Sequence, residues 1–419
     1  MDRELTKNRK KPIVFIDLLL ILLNLANSYS IIPYLLFFQH SRTVNTFIIF
    51  FINVVYILIR FSRNFSLPKG NSLFIIYIII TLFNVLISVY TNMGYFSAGM
   101  YFLSNTTFFF ILYNCYQYYC SFFDKSKSFF LVIKPYLWLC LLSIVGILIL
   151  HCLISMGINP YINNVDTRMD LFADNIEVSN ASYYFPYFSI LYESRDIRIP
   201  FFQSKGFLCG IYHEPHILTF MLFPAFFIFW NQTRNLIQKI LVFSAYIFIA
   251  LIAGSTTNII AFLFCIIVWM GVKMRKNIII PVIVVGLIVG VFFFVDVSYY
   301  LFILDKFQSG SKDYSLKMIS FAFTPKTLFG SNILNTDYVL SITSKRDIGF
   351  IMFFLNITFL IVFAIKTIKL ILSKQPFIQL LGMSALYFFL HSMKVTMVAY
   401  SLSFLVFFIF ILTVCPKIR

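Results

Sequence analysis

A chain of 419 residues that is 60% hydrophobic and only 12% charged cannot cover a water-soluble globule of its own length, since soluble domains carry roughly 25% charged residues. A net charge of +17 would suggest nucleic acid in a soluble protein. No nucleic-acid motif accompanies it, and with a mean hydropathy of +0.88 it predicts basic links at one membrane face and contact with anionic headgroups.

Apolar runs long enough to cross a bilayer core of roughly 30 Å recur along the whole chain. The first covers 12–38, behind a basic start with no small-residue cleavage site, so it is expected to stay as an uncleaved helix that bends near Pro33. Runs at 46–61, 72–90, 100–123 and 129–156 follow. A long polar interval, 158–212, comes next, and then runs at 215–230, 240–253, 259–272 and 278–297. A second polar interval, 298–346, precedes the last three runs at 348–365, 376–390 and 395–414. With the N-terminus in the cytoplasm, the short links after even-numbered runs hold nearly all clustered Lys and Arg, as the positive-inside tendency requires. The expectation is an all-α polytopic integral membrane protein of about twelve helices, both termini cytoplasmic, with two long loops on the outer face. Asn24, Asn27, Asn53 and Asn84, inside apolar runs, are expected to form hydrogen bonds between helices.

The seven cysteines form no CxxC pair, which argues against a zinc site or a disulfide framework. No GxxxxGK[ST] phosphate loop is present, so the energy source is an ion gradient or an already activated substrate outside. Asp17 is the clear acidic residue inside a run, Asp296 lying one residue from the outer end of 278–297, which counts somewhat against an ion-coupled carrier.

The candidate chemistry gathers where the first long loop re-enters the membrane. Gly206 to His216 holds His213, Glu214 and His216 within four residues, just ahead of an apolar run. Pro215 suits the first position of a helix and an acid before it is favoured by the helix dipole, which explains part of Glu214 without catalysis. Beside that stands a carboxylate flanked by imidazoles that takes a proton from a hydroxyl. Arg195, Arg198 and Lys205 upstream are either solvated loop charges or a clamp for pyrophosphate, whose oxygens match guanidinium geometry. Lys306, Lys312, Lys317, Lys345 and Arg346 form a second basic set on the same face. His391, at the outer end of the eleventh run, is a structural histidine or a base or phosphate contact. The aromatic stretch Tyr183–Phe188 lies on headgroups or stacks on sugars.

Gly210-Ile211-Tyr212-His213-Glu214-Pro215 resembles the G-[IFL]-[FY]-x-E-P signature of O-antigen and capsular repeat-unit polymerases of the Wzy type, relatives of the O-antigen ligases. Gly254-Ser255-Thr256-Thr257 resembles their serine/threonine hairpin. The segment from Tyr314-Ser315-Leu316-Lys317 through Leu328-Phe329-Gly330 resembles their S-x-x-R…P-L-x-G region, and Asp347-Ile348-Gly349-Phe350 their D-x-G-[FL]. The match departs where Lys317 stands for the family's arginine and where no arginine closely precedes the signature.

The resemblance implies a metal-independent, GT-C-like glycosyltransferase without cofactor, using undecaprenyl-pyrophosphate-linked oligosaccharides on the outer face of the bacterial inner membrane. It implies Glu214 or His391 as base, and Arg195, Arg198, Lys205, His213, His216, Lys317 and Arg346 around substrate and pyrophosphate. Membrane lipids and a chain-length regulator are the expected partners; nucleic acid is not. The rival readings are an O-antigen ligase and a non-enzymatic glycolipid flippase, which would need charges within its helices.

Overall fold

The computed structural model describes residues 14–27, 42–68, 70–91, 96–156, 182–184, 191–193, 197–199, 202–204, 207–212, 215–253, 256–274, 350–394 and 402–417. Apart from five strands of two or three residues, the described chain is helical. The helices are α1 Val14–Ala26, α2 Arg42–Phe61, α3 Ser72–Thr91, α4 Phe96–Cys120, α5 Lys125–Ser155, α6 Pro215–Gln232, α7 Leu236–Ala253, α8 Thr256–Met274, α9 Phe350–Ile371, α10 Pro376–Lys394 and α11 Leu402–Val414. Each falls on one of the apolar runs. The ninth run, 278–297, the bend at Pro33 and the second polar interval lie outside the described residues. By length and composition two described segments are able to cross a membrane, Val44–Phe61 and Lys125–Leu153.

Helix ends depart from run ends because hydropathy reports a medium, whereas the hydrogen-bond ladder continues into polar residues of good helix propensity. Thus α5 begins at Lys125, directly after Asp124, whose carboxylate accepts the Lys127 N–H at 3.0 Å as an N-cap. Asn71 caps α3 in the same way, accepting from the Leu73 N–H at 3.1 Å. Helix α9 runs on to Ile371 and takes in Lys366 and Lys369, which the sequence suggested as a link.

Helix α11 lies at the centre. All thirteen of its residues are buried, and it packs against α1, α3, α4, α9 and α10. A helix apolar on every side is stable only when surrounded, which its Phe, Leu, Ile and Val content satisfies. The outward faces of α2, α3, α5, α7 and α9 are also apolar; Ile59, Leu86, Leu142, Leu236 and Phe354 are all exposed.

Two polar rungs join α1, α2 and α4. Asn24 and Asn53 exchange reciprocal amide hydrogen bonds at 2.9 and 2.8 Å, and Asn53 also donates to the Thr107 hydroxyl at 3.1 Å. This bears out the interhelical role expected of Asn24 and Asn53. The second rung is centred on Asp17, almost wholly buried, which accepts from the Tyr56 hydroxyl, from the Tyr119 hydroxyl at 2.6 Å and from Arg60 at 3.4 Å. Arg60 also lies over the Tyr118 ring. Charge does therefore occur within helices, and Asp17 there is paired with Arg60, whose Nε is buried without a hydrogen-bond partner.

Candidate functional site

The interval 158–212, expected as loop, contains the strands. β1 Ser182–Tyr184, β2 Leu191–Glu193 and β5 Phe207–Leu208 form one antiparallel sheet in the order β1-β2-β5. β3 Ile197–Ile199 and β4 Phe202–Ser204 form a second pair, with Arg198 opposite Gln203. Pairing of Leu191 with Leu208 and Tyr192 with Phe207 brings the chain to the edge of the helical body just before the Gly-x-x-x-Glu-Pro signature.

There the backbone turns sharply. Gly210 has φ of +61°, a conformation that costs any residue with a Cβ, and the Tyr212 N–H closes the turn on the Cys209 carbonyl at 3.1 Å. An added Cβ at Gly210 would meet Leu218 of α6 at 3.4 Å and Ile147 and Ser143 of α5 at 3.5 Å. Cys209, Ile211 and Tyr212 are buried around it. The signature's glycine thus has a local reason: the turn must be left-handed and must sit against α5. Pro215 then opens α6, as expected of a proline at a first helical position.

Helix α6 is held by hydroxyl groups on three neighbours. Pro224, inside it, has no N–H, so the Phe220 carbonyl loses its usual partner and the local ladder is weakened. Around this point Tyr136 of α5 donates to the Met221 carbonyl at 2.6 Å and Tyr246 of α7 to the Leu222 carbonyl at 3.1 Å. From α10, Ser384 donates to the Pro224 carbonyl at 2.7 Å and Tyr387 to the Thr219 carbonyl at 3.3 Å. All four donors are buried. In an apolar setting a proline within a helix is tolerated when neighbouring side chains meet the disturbed backbone in this way. The sequence reading missed all four. Their signal was present as isolated hydroxyls in apolar runs, but nothing in one sequence says which proline they face.

These contacts also fix a register. Thr219 meets Tyr387, Phe220 lies tilted against Phe388 with centroids 4.9 Å apart, and Pro224 meets Ser384, so α6 and α10 run antiparallel. Continuing one turn toward the start of α6 and one turn toward the end of α10 brings the backbone of His216 level with that of His391, at the same end of the bundle. Residues 175 positions apart in sequence are thereby brought to one level by the packing of two helices.

Of the remaining candidates, Arg198 lies in β3 by its backbone. His213, Glu214, Arg195, Lys205, Lys317 and Arg346 lie outside the described residues, as do the side chains of Arg198, His216 and His391. Tyr183 and Tyr184 of the aromatic stretch lie in β1. His151 of α5 packs edge-on against Phe248 of α7, with centroids 5.0 Å apart. Among the described residues no three His, Cys, Asp or Glu side chains come together as metal ligands would. No family model, curated protein or solved structure matches the chain.

Proposed function

We propose that the chain is a multi-pass polymerase of the bacterial inner membrane that joins lipid-linked oligosaccharide repeat units on the outer face, with about twelve spans, a GT-C-like architecture and both termini in the cytoplasm. The observation that carries the reading is the α6–α10 register, which brings the start of α6, next to Glu214, and the end of α10, at His391, to the same end and level. It is supported by the left-handed Gly210 turn, which gives the signature a reason to be a glycine followed by a helix start.

In this reading the donor glycan is bound through its anomeric carbon to undecaprenyl pyrophosphate. A hydroxyl of the acceptor repeat unit attacks that carbon from the opposite side, and the carbon–oxygen bond to pyrophosphate breaks with inversion. Glu214 or His391 takes the hydroxyl proton. Arg198, Lys205, Lys317 and Arg346, with Arg195, His213 and His216, stabilise the charge that develops on the leaving pyrophosphate. The bond broken is already activated, so no nucleotide site is needed. The flippase reading asks for charge within helices; the Asp17–Arg60 pair supplies some, with Asp17 engaged by Arg60, Tyr56 and Tyr119.

The test is deletion of the gene followed by separation of the surface glycan by size. A polymerase predicts loss of long chains with single repeats still transferred to their final acceptor. Unchanged chain lengths overturn the proposal, and loss of single repeats as well assigns the ligase activity instead.

A further inference from the structure

Each of the three tryptophans has a lysine ammonium over its ring: Lys134 over Trp138 at 4.9 Å, Lys239 over Trp230 at 5.7 Å and Lys273 over Trp269 at 5.5 Å. The last two pairs form one cluster. Trp230 near the end of α6 and Trp269 near the end of α8 meet edge to face with centroids 5.5 Å apart. Lys239 comes from the first turns of α7 and Lys273 from the last turn of α8. The two ammonium groups therefore flank a tryptophan pair, with exposed Arg234 in the connection between α6 and α7.

The charge here is of one sign. From Pro215 to Lys276 the sequence contains no Asp or Glu. Among the described residues neither lysine has a carboxylate within ion-pair reach, in contrast to Arg60. Directly beside Lys239, α7 exposes Leu236, Ile237, Ile240 and Leu241, which form an apolar stripe at helical spacing. A ligand that satisfies both features is anionic at one end and apolar along its length. Free phosphate would meet the lysines and leave the stripe bare.

We propose that the end of the bundle built by Trp230, Lys239, Trp269 and Lys273 binds the headgroup of an acidic phospholipid, with its acyl chains along the exposed stripe of α7. The inference rests on the reading of the chain as a membrane protein and is independent of the polymerase activity. The lysines supply the charge that a phosphodiester needs, and the half-buried Trp230 ring, backed by the buried Trp269, sits at the depth where headgroup and acyl chain meet. The site lies at the opposite end of α6 from Pro215 and holds that end at a set depth.

The experiment uses the full-length protein with Trp138→Phe, so that fluorescence reports Trp230 and Trp269 alone. The protein is reconstituted in phosphatidylcholine vesicles containing the same minor fraction of either acyl-brominated phosphatidylglycerol or acyl-brominated phosphatidylcholine. The proposal predicts stronger quenching by the brominated phosphatidylglycerol. Each lysine contributes roughly fivefold to the local preference, so Lys239→Gln/Lys273→Gln abolishes the difference while Lys239→Arg/Lys273→Arg retains it. An unchanged melting temperature of the glutamine variant shows that the loss is not unfolding. Equal quenching by the two lipids, or a preference that survives in the glutamine variant, overturns the site. A preference erased by millimolar inorganic phosphate overturns the lipid as its occupant. Absence of quenching by either lipid overturns the membrane reading as well. Failure of the polymerase reading would show only in the glycan and would leave these results in place.

Discussion

The Ser384 hydroxyl donates to the carbonyl of Pro224 at 2.7 Å, which ties α10 to α6 beside the residue that interrupts its backbone ladder. Tyr387, one turn further along α10, reaches the Thr219 carbonyl. Ser384→Ala and Tyr387→Phe should each destabilise the protein by about 0.6 kcal/mol, the average for interhelical hydrogen bonds in membranes. Thermal unfolding in detergent checks this, and the double variant should melt below either single one. Melting curves identical to wild type would mean that these contacts do not hold α6.

Gly210 offers a sharper test of the signature turn. Its φ of +61° strains any residue with a Cβ, while an added methyl would meet its neighbours on α5 and α6 at ordinary contact distance. Gly210→Ala should cost about 1–2 kcal/mol from the backbone conformation alone. Under the proposed function it should also shorten the polymer, measured as the size distribution of surface glycan at equal protein level.

A second glycine is needed for a different reason. A Cβ on Gly382 of α10 would lie 2.7 Å from the Ile371 backbone nitrogen of α9, an atom that cannot move aside as a side chain can. Gly382→Ala should destabilise by about 1–3 kcal/mol, the usual range for overpacking. Gly146→Ala is the control: nothing lies within 4 Å of the added methyl, and removing a glycine from a helix interior should stabilise by roughly 0.5–1 kcal/mol. Opposite shifts in melting temperature are expected.

The Asp17–Arg60 pair should behave non-additively. Asp17→Asn leaves Arg60 without its carboxylate, and Arg60→Gln leaves Asp17 charged and buried. Losses of about 3 kcal/mol are expected for single changes at a buried pair. The double variant should lose less than the sum, because no unpaired charge remains. A double-mutant cycle on unfolding free energy measures the coupling; strict additivity would refute it.

For the candidate chemistry, Glu214→Gln and Arg198→Ala should each abolish polymer while the protein still reaches the membrane. Immunoblots of membrane fractions beside glycan gels separate the outcomes. Wild-type chain lengths in both variants would make the cluster structural.

The helices were legible in the sequence because burial on all sides and exposure to an apolar medium both demand long apolar runs, whichever applies. Asn24 and Asn53 could be foreseen as partners, since amides inside such runs have few alternatives to one another. Their register could not, because it depends on how α1 and α2 pack around α4. The Gly210 turn was visible as a motif but not as a left-handed residue seated on Ser143 and Ile147. The hydroxyl contacts to α6 were hidden, since Tyr136, Tyr246, Ser384 and Tyr387 lie far from Pro224 in sequence and resemble any other hydroxyl in an apolar helix. The paired strands between Ser182 and Leu208 went unread because two- and three-residue segments carry no periodicity to detect.

Helix α11, enclosed on every side, leaves the ribosome after the other ten described helices. The walls of the bundle exist before its middle. Until α11 arrives, α1, α3, α4, α9 and α10 must leave a slot open for it or part to admit it. The apolar surfaces that will face it stay uncovered until then, so closure of the bundle is a late event. A fault in that last step would yield a chain with every helix formed and a hollow centre.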